Sequence, residues 1–99
     1  MQLTEEQLET IRAYFRTKPV LKAWLFGSYA RGEADENSDV DLLVNIDADT
    51  SVGWDFFIWH EDLAELLRKK VDVISPRRKP TRFQQTIAPD LQLIYEREA

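Results

Sequence analysis

The sequence has no cysteine, so neither a disulfide nor a thiolate metal site is available to it. It has no long hydrophobic run. Its apolar stretches last only a few residues, and Met1-Gln2-Leu3-Thr4-Glu5-Glu6 is acidic where a secretory signal would be basic and then apolar. A cytoplasmic protein with no membrane span is expected. Basic excess is missing too: 13 Lys and Arg stand against 18 Asp and Glu, a net charge of −5, which argues against direct nucleic-acid contact as the main activity. There is one histidine, His60, and so no histidine pair to build a metal site or a relay on.

What remains is a 99-residue chain, 43% hydrophobic and 31% charged, which reads as one domain over residues 1–99 with one modest core. Its charge is segregated. Between Glu33 and Asp62 there are ten carboxylates and no Lys or Arg, whereas Arg68 to Arg82 holds seven basic residues against the single acid Asp72. Two solvated faces of opposite sign would explain this. So would a single cleft that binds both metal and phosphate, which needs carboxylates and cations together.

Thr4 and Gln7 make a capping box with Leu3 and Leu8 as its hydrophobic staple, which predicts a helix from about Glu5 to Arg16 ended by Pro19. Ala23-Trp24-Leu25-Phe26 reads as a buried strand stopped at Gly27, and Tyr29 to Glu33 as a short helix or turn. Asp39 to Ile46 alternates, with Val40, Leu42 and Val44 on one face and Asp39 and Asp41 on the other. A long helix from about Gly53 to Lys70 follows, its apolar stripe formed by Phe56, Trp59, Leu63, Leu66 and Leu67. Val71 to Ile74 is a third strand closed by Pro76. A short helix, Thr81 to Ala88, and a last strand, Leu91 to Tyr95, complete the chain. The order α-β-α-β-α-β-α-β predicts an α/β (α+β) fold, a small mixed sheet packed with helices, whose second and third strands are parallel through a right-handed crossover.

Three features belong together: Gly27-Ser28 after the first strand, Asp39-Val40-Asp41 opening the second, and Asp72 in the third. Residues two apart on a strand project to one face, so Asp39 and Asp41 are near enough to share cations. Adjacent carboxylates repel and call for a positive partner. Magnesium answers that need, since it takes oxygen ligands and is usually held by one or two carboxylates plus substrate phosphates. Gly27 would let a ligand approach the backbone, and Ser28 offers a hydroxyl and an N–H at a helix start, where an anion is favoured. Asp72, between apolar neighbours, would be a buried charge satisfied by Lys69, Lys70 or Arg77, or else a third metal ligand able to draw off a proton.

The string Leu25-Phe26-Gly27-Ser28-Tyr29-Ala30-Arg31-Gly32, followed ten residues after Ser28 by Ser38-Asp39-Val40-Asp41-Leu42-Leu43-Val44, resembles the signature of the polymerase-β-like nucleotidyltransferase superfamily. Its wording and short length are similar to the minimal nucleotidyltransferase (MNT) antitoxins, partners of HEPN toxins. The resemblance covers nearly the whole chain. It implies a nucleotidyltransferase fold and a two-metal transfer of AMP from ATP to a hydroxyl, such as a tyrosine of the toxin, which neutralises that toxin. In that mechanism Gly27 and Ser28 bind the β and γ phosphates. Asp39 and Asp41 bridge two Mg2+ ions, and Asp72 completes the ion nearest the acceptor.

Other residues admit two readings. Arg31 reaches a phosphate of the nucleotide or pairs with Glu33 or Asp35 on the surface. Ser38 caps a turn or touches phosphate, and His60 is expected at the surface or an interface rather than in catalysis. Trp54, Phe57 and Ile58 close over the sheet edge, form a patch for a protein partner, or give the base a platform. Only 27 residues follow Asp72, so the acceptor is expected on another molecule. The alternative to an enzymatic antitoxin is a non-catalytic one that blocks its toxin by stoichiometric binding.

Overall fold

The computed structural model describes residues 2–47, 55–76 and 81–97. The elements run α1 (Glu5–Arg16), β1 (Val20–Phe26), α2 (Ser28–Arg31), β2 (Val40–Ile46), α3 (Asp55–Leu67), β3 (Val71–Ile74), α4 (Thr81–Ile87), a 3-10 turn (Ala88–Asp90) and β4 (Gln92–Glu96). This is the order the sequence predicts. The capping box at α1 forms as expected: Gln7 N–H donates to Thr4 Oγ1 at 3.0 Å, and Thr4 N–H donates to Gln7 Oε1 at 2.9 Å. β1 begins three residues earlier than Ala23, because the antiparallel ladder to β2 extends back to Val20 opposite Ile46.

The sheet order is β3-β2-β1-β4. β1 is antiparallel to both β2 and β4, and β2 is parallel to β3, the crossover being made by α3. On one face Val40, Leu42 and Val44 are fully buried against Ile11 and Phe15 of α1 and Leu63 of α3. Removing each such side chain from water contributes about 1.5–3 kcal/mol, so this face supplies most of the drive for folding. The other face carries a smaller cluster, Phe26, Leu43, Ile74 and Ile87, with Trp24, Phe83 and Leu91 packed against it. α4 lies there.

One element of the expected stripe fails. Phe56, Trp59, Leu63 and Leu67 are buried, but Leu66 is 55% exposed. Leu63 and Leu67 are four apart and already fill the line facing the sheet, and Leu66, one step round the helix, turns to solvent. α3 ends at Leu67, and Arg68 takes φ 55°, a left-handed conformation that breaks the helix before β3.

This division between faces predicts a contrast. Leu42→Ala should cost about 2–5 kcal/mol and Leu66→Ala under about 0.5 kcal/mol in urea unfolding. Equal costs would mean that Leu66 is core after all.

Candidate functional site

Gly27 is the hinge between β1 and α2. Its φ of 74° and ψ of −155° fall in a region open essentially to glycine alone. A Cβ at Gly27 would overlap Asp41 Oδ2, so the residue is demanded by its backbone and by its neighbour at once. From Gly27 the chain turns into α2, whose Ala30 and Arg31 N–H groups donate to the Gly27 carbonyl at 3.1 Å. Tyr29 is buried in the main core, with Lys69 Nζ 5.6 Å over its ring, so α2 is pinned to the turn between α3 and β3.

The sheet register assembles the acids. Phe26 stands opposite Asp41 across the antiparallel pair, and Asp41 stands beside Asp72 across the parallel pair. The end of β1 and the starts of β2 and β3 therefore lie side by side. Asp39 and Asp41 share the face opposite the main core, as alternation predicts, and Asp72 joins them. The alternative of Asp72 as a buried charge is overturned: its side chain is 54% exposed, because β3 is an edge strand and Asp72 points away from the main core. Its ion-pair contact among the described residues is His60 Nδ1 at 3.7 Å, not Lys69 or Lys70. Arg77 lies outside the described residues.

Asp41 feels the crowding most. Its carboxyl is pushed up to about 6, first by burial and then by the charges of Asp72 and Asp39, against a smaller opposing pull from Arg31. Among the described residues no three His, Asp or Glu side chains already converge as a metal cage. The donor set still fits a hard divalent cation: carboxylate oxygens only, with the Asp41 carboxyl raised by burial and by the negative charge beside it, which a cation would offset.

Arg31 pairs with Glu33 at 3.1 Å and with Asp90 at 2.9 Å. Of the two expected surface partners Glu33 is present and Asp35 is not. Asp35 is instead occupied with its own turn, where Ser38 Oγ accepts from Asp35 N–H at 2.9 Å and Asp35 Oδ1 accepts from Asn37 N–H at 2.8 Å. Ser38 is thus a turn cap. Asp90 was not foreseen, since it reaches Arg31 across 59 positions of sequence.

His60 is where sequence reasoning fell short. Its Nδ1 lies 2.8 Å from the Val71 carbonyl and 3.2 Å from the Val73 N–H, groups on the outer edge of β3 where no further strand pairs, and this brings the ring beside Asp72. The only available signal was a polar residue one position from the core stripe of the helix that leads into β3. Phe57 and Ile58 are 59% and 49% exposed, so they do not close over the sheet; Trp54 lies outside the described residues. A separate hollow of about 430 Å³ between α1 and β4 is remote from the acids. Its arginines are already engaged, Arg12 and Arg16 by Glu9 and Arg97 by the Lys18 carbonyl.

The sequence matches the family described as polymerase beta, nucleotidyltransferase, over residues 9–99, and the chain belongs to that family. Within it, the chain is 38% identical over 77 residues to the protein adenylyltransferase MntA of Thermococcus cleftensis, covering 73% of this chain and 77% of that one. It spans between 50% and 59% of the length of the other curated relatives it matches, all from Methanocaldococcus jannaschii. Among solved structures, a chain in a crystal structure of a toxin–antitoxin with AMP-PNP superposes with a TM-score of 0.78 at 26% identity, covering 97% of this chain and 76% of that one. A chain from the complex of a tri-AMPylated Shewanella oneidensis HEPN toxin with an MNT antitoxin gives 0.75 at 22% identity over 96% of this chain and 74% of that one, which shows the shared fold. The expected nucleotidyltransferase fold is borne out.

Two outcomes follow from the crowding at Asp41. Its folded pKa lies above the ordinary 3.8, so the folded state holds a proton that the unfolded state has lost, and the stability this provides disappears as pH rises through about 6. In divalent-free buffer Asp41→Asn should therefore stabilise the fold by about 1–2 kcal/mol near pH 7, after discounting for solvent screening, with the gain shrinking towards zero near pH 4. Identical urea midpoints for the two proteins at neutral pH would contradict this. Gly27→Ala should cost about 2 kcal/mol or more, and pairing it with Asp41→Ala in a double-mutant cycle should recover the part due to overlap while leaving the backbone strain.

Proposed function

We propose that this protein is an antitoxin of the MNT kind, acting in the cytoplasm, that transfers AMP from ATP to a hydroxyl on a cognate HEPN-type toxin. Residues 1–99 would serve as one minimal nucleotidyltransferase domain. The observation that carries this reading is the sheet register that aligns Gly27-Ser28, Asp39, Asp41 and Asp72 along one sheet edge. Family membership supports nucleotidyl transfer, the MntA relative supports a protein acceptor, and the neighbour with AMP-PNP supports an adenine nucleotide and a toxin partner.

The residues divide the work by position. Gly27, lacking a Cβ, lets the β and γ phosphates approach the backbone, and Ser28 offers its N–H and hydroxyl to them. Asp39, Asp41 and Asp72 would together hold two Mg2+ ions. Bound there, the ions offset phosphate charge and acidify the acceptor hydroxyl. The acceptor oxygen attacks the α-phosphorus, the bond to pyrophosphate breaks, and the hydroxyl proton passes to the Asp72 carboxylate. Arg31, held by Glu33 and Asp90 but still 43% exposed, is placed to turn one of its donors to a phosphate. Its positive charge already reaches Asp41.

Incubation of the protein with ATP, Mg2+ and its cognate toxin should add AMP-sized increments to the toxin by mass spectrometry, and Asp39→Asn or Asp72→Asn should abolish them. An active toxin that gains no increment would sink the proposal. The exposure of Phe57 and Ile58 favours a second reading, neutralisation by binding alone. In that case Asp41→Asn would neutralise as well as wild type, whereas Phe57→Ala and Ile58→Ala would fail.

A further inference from the structure

β3 is a four-residue strand at one end of the sheet, paired with β2 alone among the described residues. Val40 N–H donates to the Lys70 carbonyl at 2.8 Å, which sets the alternation: the backbone groups of Lys70 and Asp72 turn towards β2, and those of Val71 and Val73 turn outward. His60 meets that outward edge. Its Nδ1 lies 2.8 Å from the Val71 carbonyl and 3.2 Å from the Val73 N–H. These groups belong to the two planar peptide units on either side of the Asp72 Cα, so one ring nitrogen touches both of the planes whose rotation aims the Asp72 side chain. With the proton on Nδ1 the ring donates to the Val71 carbonyl, and with it on Nε2 the ring accepts from the Val73 N–H. Either tautomer ties the ring to the strand. The same nitrogen is 3.7 Å from Asp72 Oδ1.

We propose that His60 is a positioning residue for nucleotidyl transfer: it grips the peptide units that flank Asp72 and so aims that carboxylate at the site shared with Asp41. The inference rests on the transferase reading above and adds to it a residue that acts only through Asp72. Asp72 needs such a grip. It stands in register beside Asp41, and like charges at that spacing push the two side chains apart. Its side chain is 54% exposed and borders a hollow of about 380 Å³ that opens to solvent, so packing does not hold it. A short edge strand with few buried contacts is also among the easiest parts of a sheet to loosen. Water could satisfy the outward carbonyl and N–H as well as a side chain does, but water carries no restraint from the rest of the fold. His60 carries one. It follows the buried Trp59 and stands three positions before the buried Leu63, so the main core fixes its backbone while its ring reaches the strand edge. For a carboxylate that must hold a cation and take a proton, displacement by about 1 Å should slow transfer roughly ten- to a hundredfold.

Two variants at this one position separate the grip from the bulk of the ring. His60→Asn places an amide at the same number of bonds from the backbone as Nδ1, able to donate or accept there, whereas His60→Phe keeps a flat ring without a nitrogen. Each protein is examined free of metal by hydrogen exchange at the Val73 amide and by urea unfolding, and then with ATP, Mg2+ and the cognate toxin for kcat and for the KM of ATP. His60→Phe should speed Val73 exchange about tenfold or more. It should also lower kcat about ten- to a hundredfold while the KM of ATP stays within about twofold, and His60→Asn should recover most of both losses. Should His60→Phe fail to fold, His60→Ala takes its place with the same expectation. A folded His60→Phe with wild-type kcat and wild-type Val73 exchange would overturn the proposal. So would a His60→Asn as impaired as His60→Phe, the pattern of a ring needed for packing alone. A wild-type protein that transfers nothing to an active toxin overturns the transferase reading itself, and that failure is seen before any variant is made.

Discussion

Like charge confined to a small space is the constraint on which the rest of this structure depends. Asp39, Asp41 and Asp72 meet where β1 ends and β2 and β3 begin, and the Asp41 carboxyl, half-buried against Gly27, is pushed up to about 6, first by that burial and then by the charges of Asp72 and Asp39. Such an arrangement opposes folding, and it persists only because the opposite face of the same strands is so well packed. Val40 and Leu42, which alternate with the acids on β2, are fully buried, as is Val44 beyond them. β2 and β3 are thus apolar where they meet α1 and α3 and carry Asp41 and Asp72 on the other face, so the core holds the acids in register against their repulsion.

The surrounding contacts keep that edge open yet rigid. Arg31 ties α2 to Asp90, and Gln92 Nε2 donates to the Ala30 carbonyl at 2.9 Å, so the turn at Gly27 and α2 is braced from the β4 side. On the opposite flank His60 occupies the free edge of β3 in place of a further strand. The two braces stand on opposite flanks of the acids, one on the β1–β4 side and one on the β3 side. The brace on the β4 side comes from 59 and 62 positions away, whereas His60 lies only 11 positions before Val71, at the other end of one helix–strand connection.

Much of the molecule was legible before any coordinates. The capping box at Thr4 and Gln7, the alternation from Asp39 to Ile46 and the breaks at Pro19 and Pro76 are local signals, and the elements they announce all form. The pairing of Gly27-Ser28 with Asp39 and Asp41 was also foreseeable, because an antiparallel pair joined by a short connection must bring the end of one strand to the start of the next. Leu66 was misread because helical periodicity alone leaves the edges of an apolar stripe undefined; only the width of the sheet beneath α3 decides them. The alternative of Asp72 as a buried charge fails for a related reason, while its place beside Asp41 is as expected. Apolar neighbours suggest burial, but a strand at the edge of a sheet exposes whichever side chain faces away from the covering helices.

The sequence by itself therefore determined the elements, their order and the residue types of the site, since capping, alternation and turn chemistry act over a few positions. Only the tertiary structure decided the companions: Asp90 for Arg31, the edge of β3 for His60, and the hollow beside Asp72. Those are contacts between separate elements, 59 positions apart for Arg31 and Asp90 and 11 for His60 and Val71. They depend on strand register and on which face a helix covers, and no local pattern along a 99-residue chain encodes either.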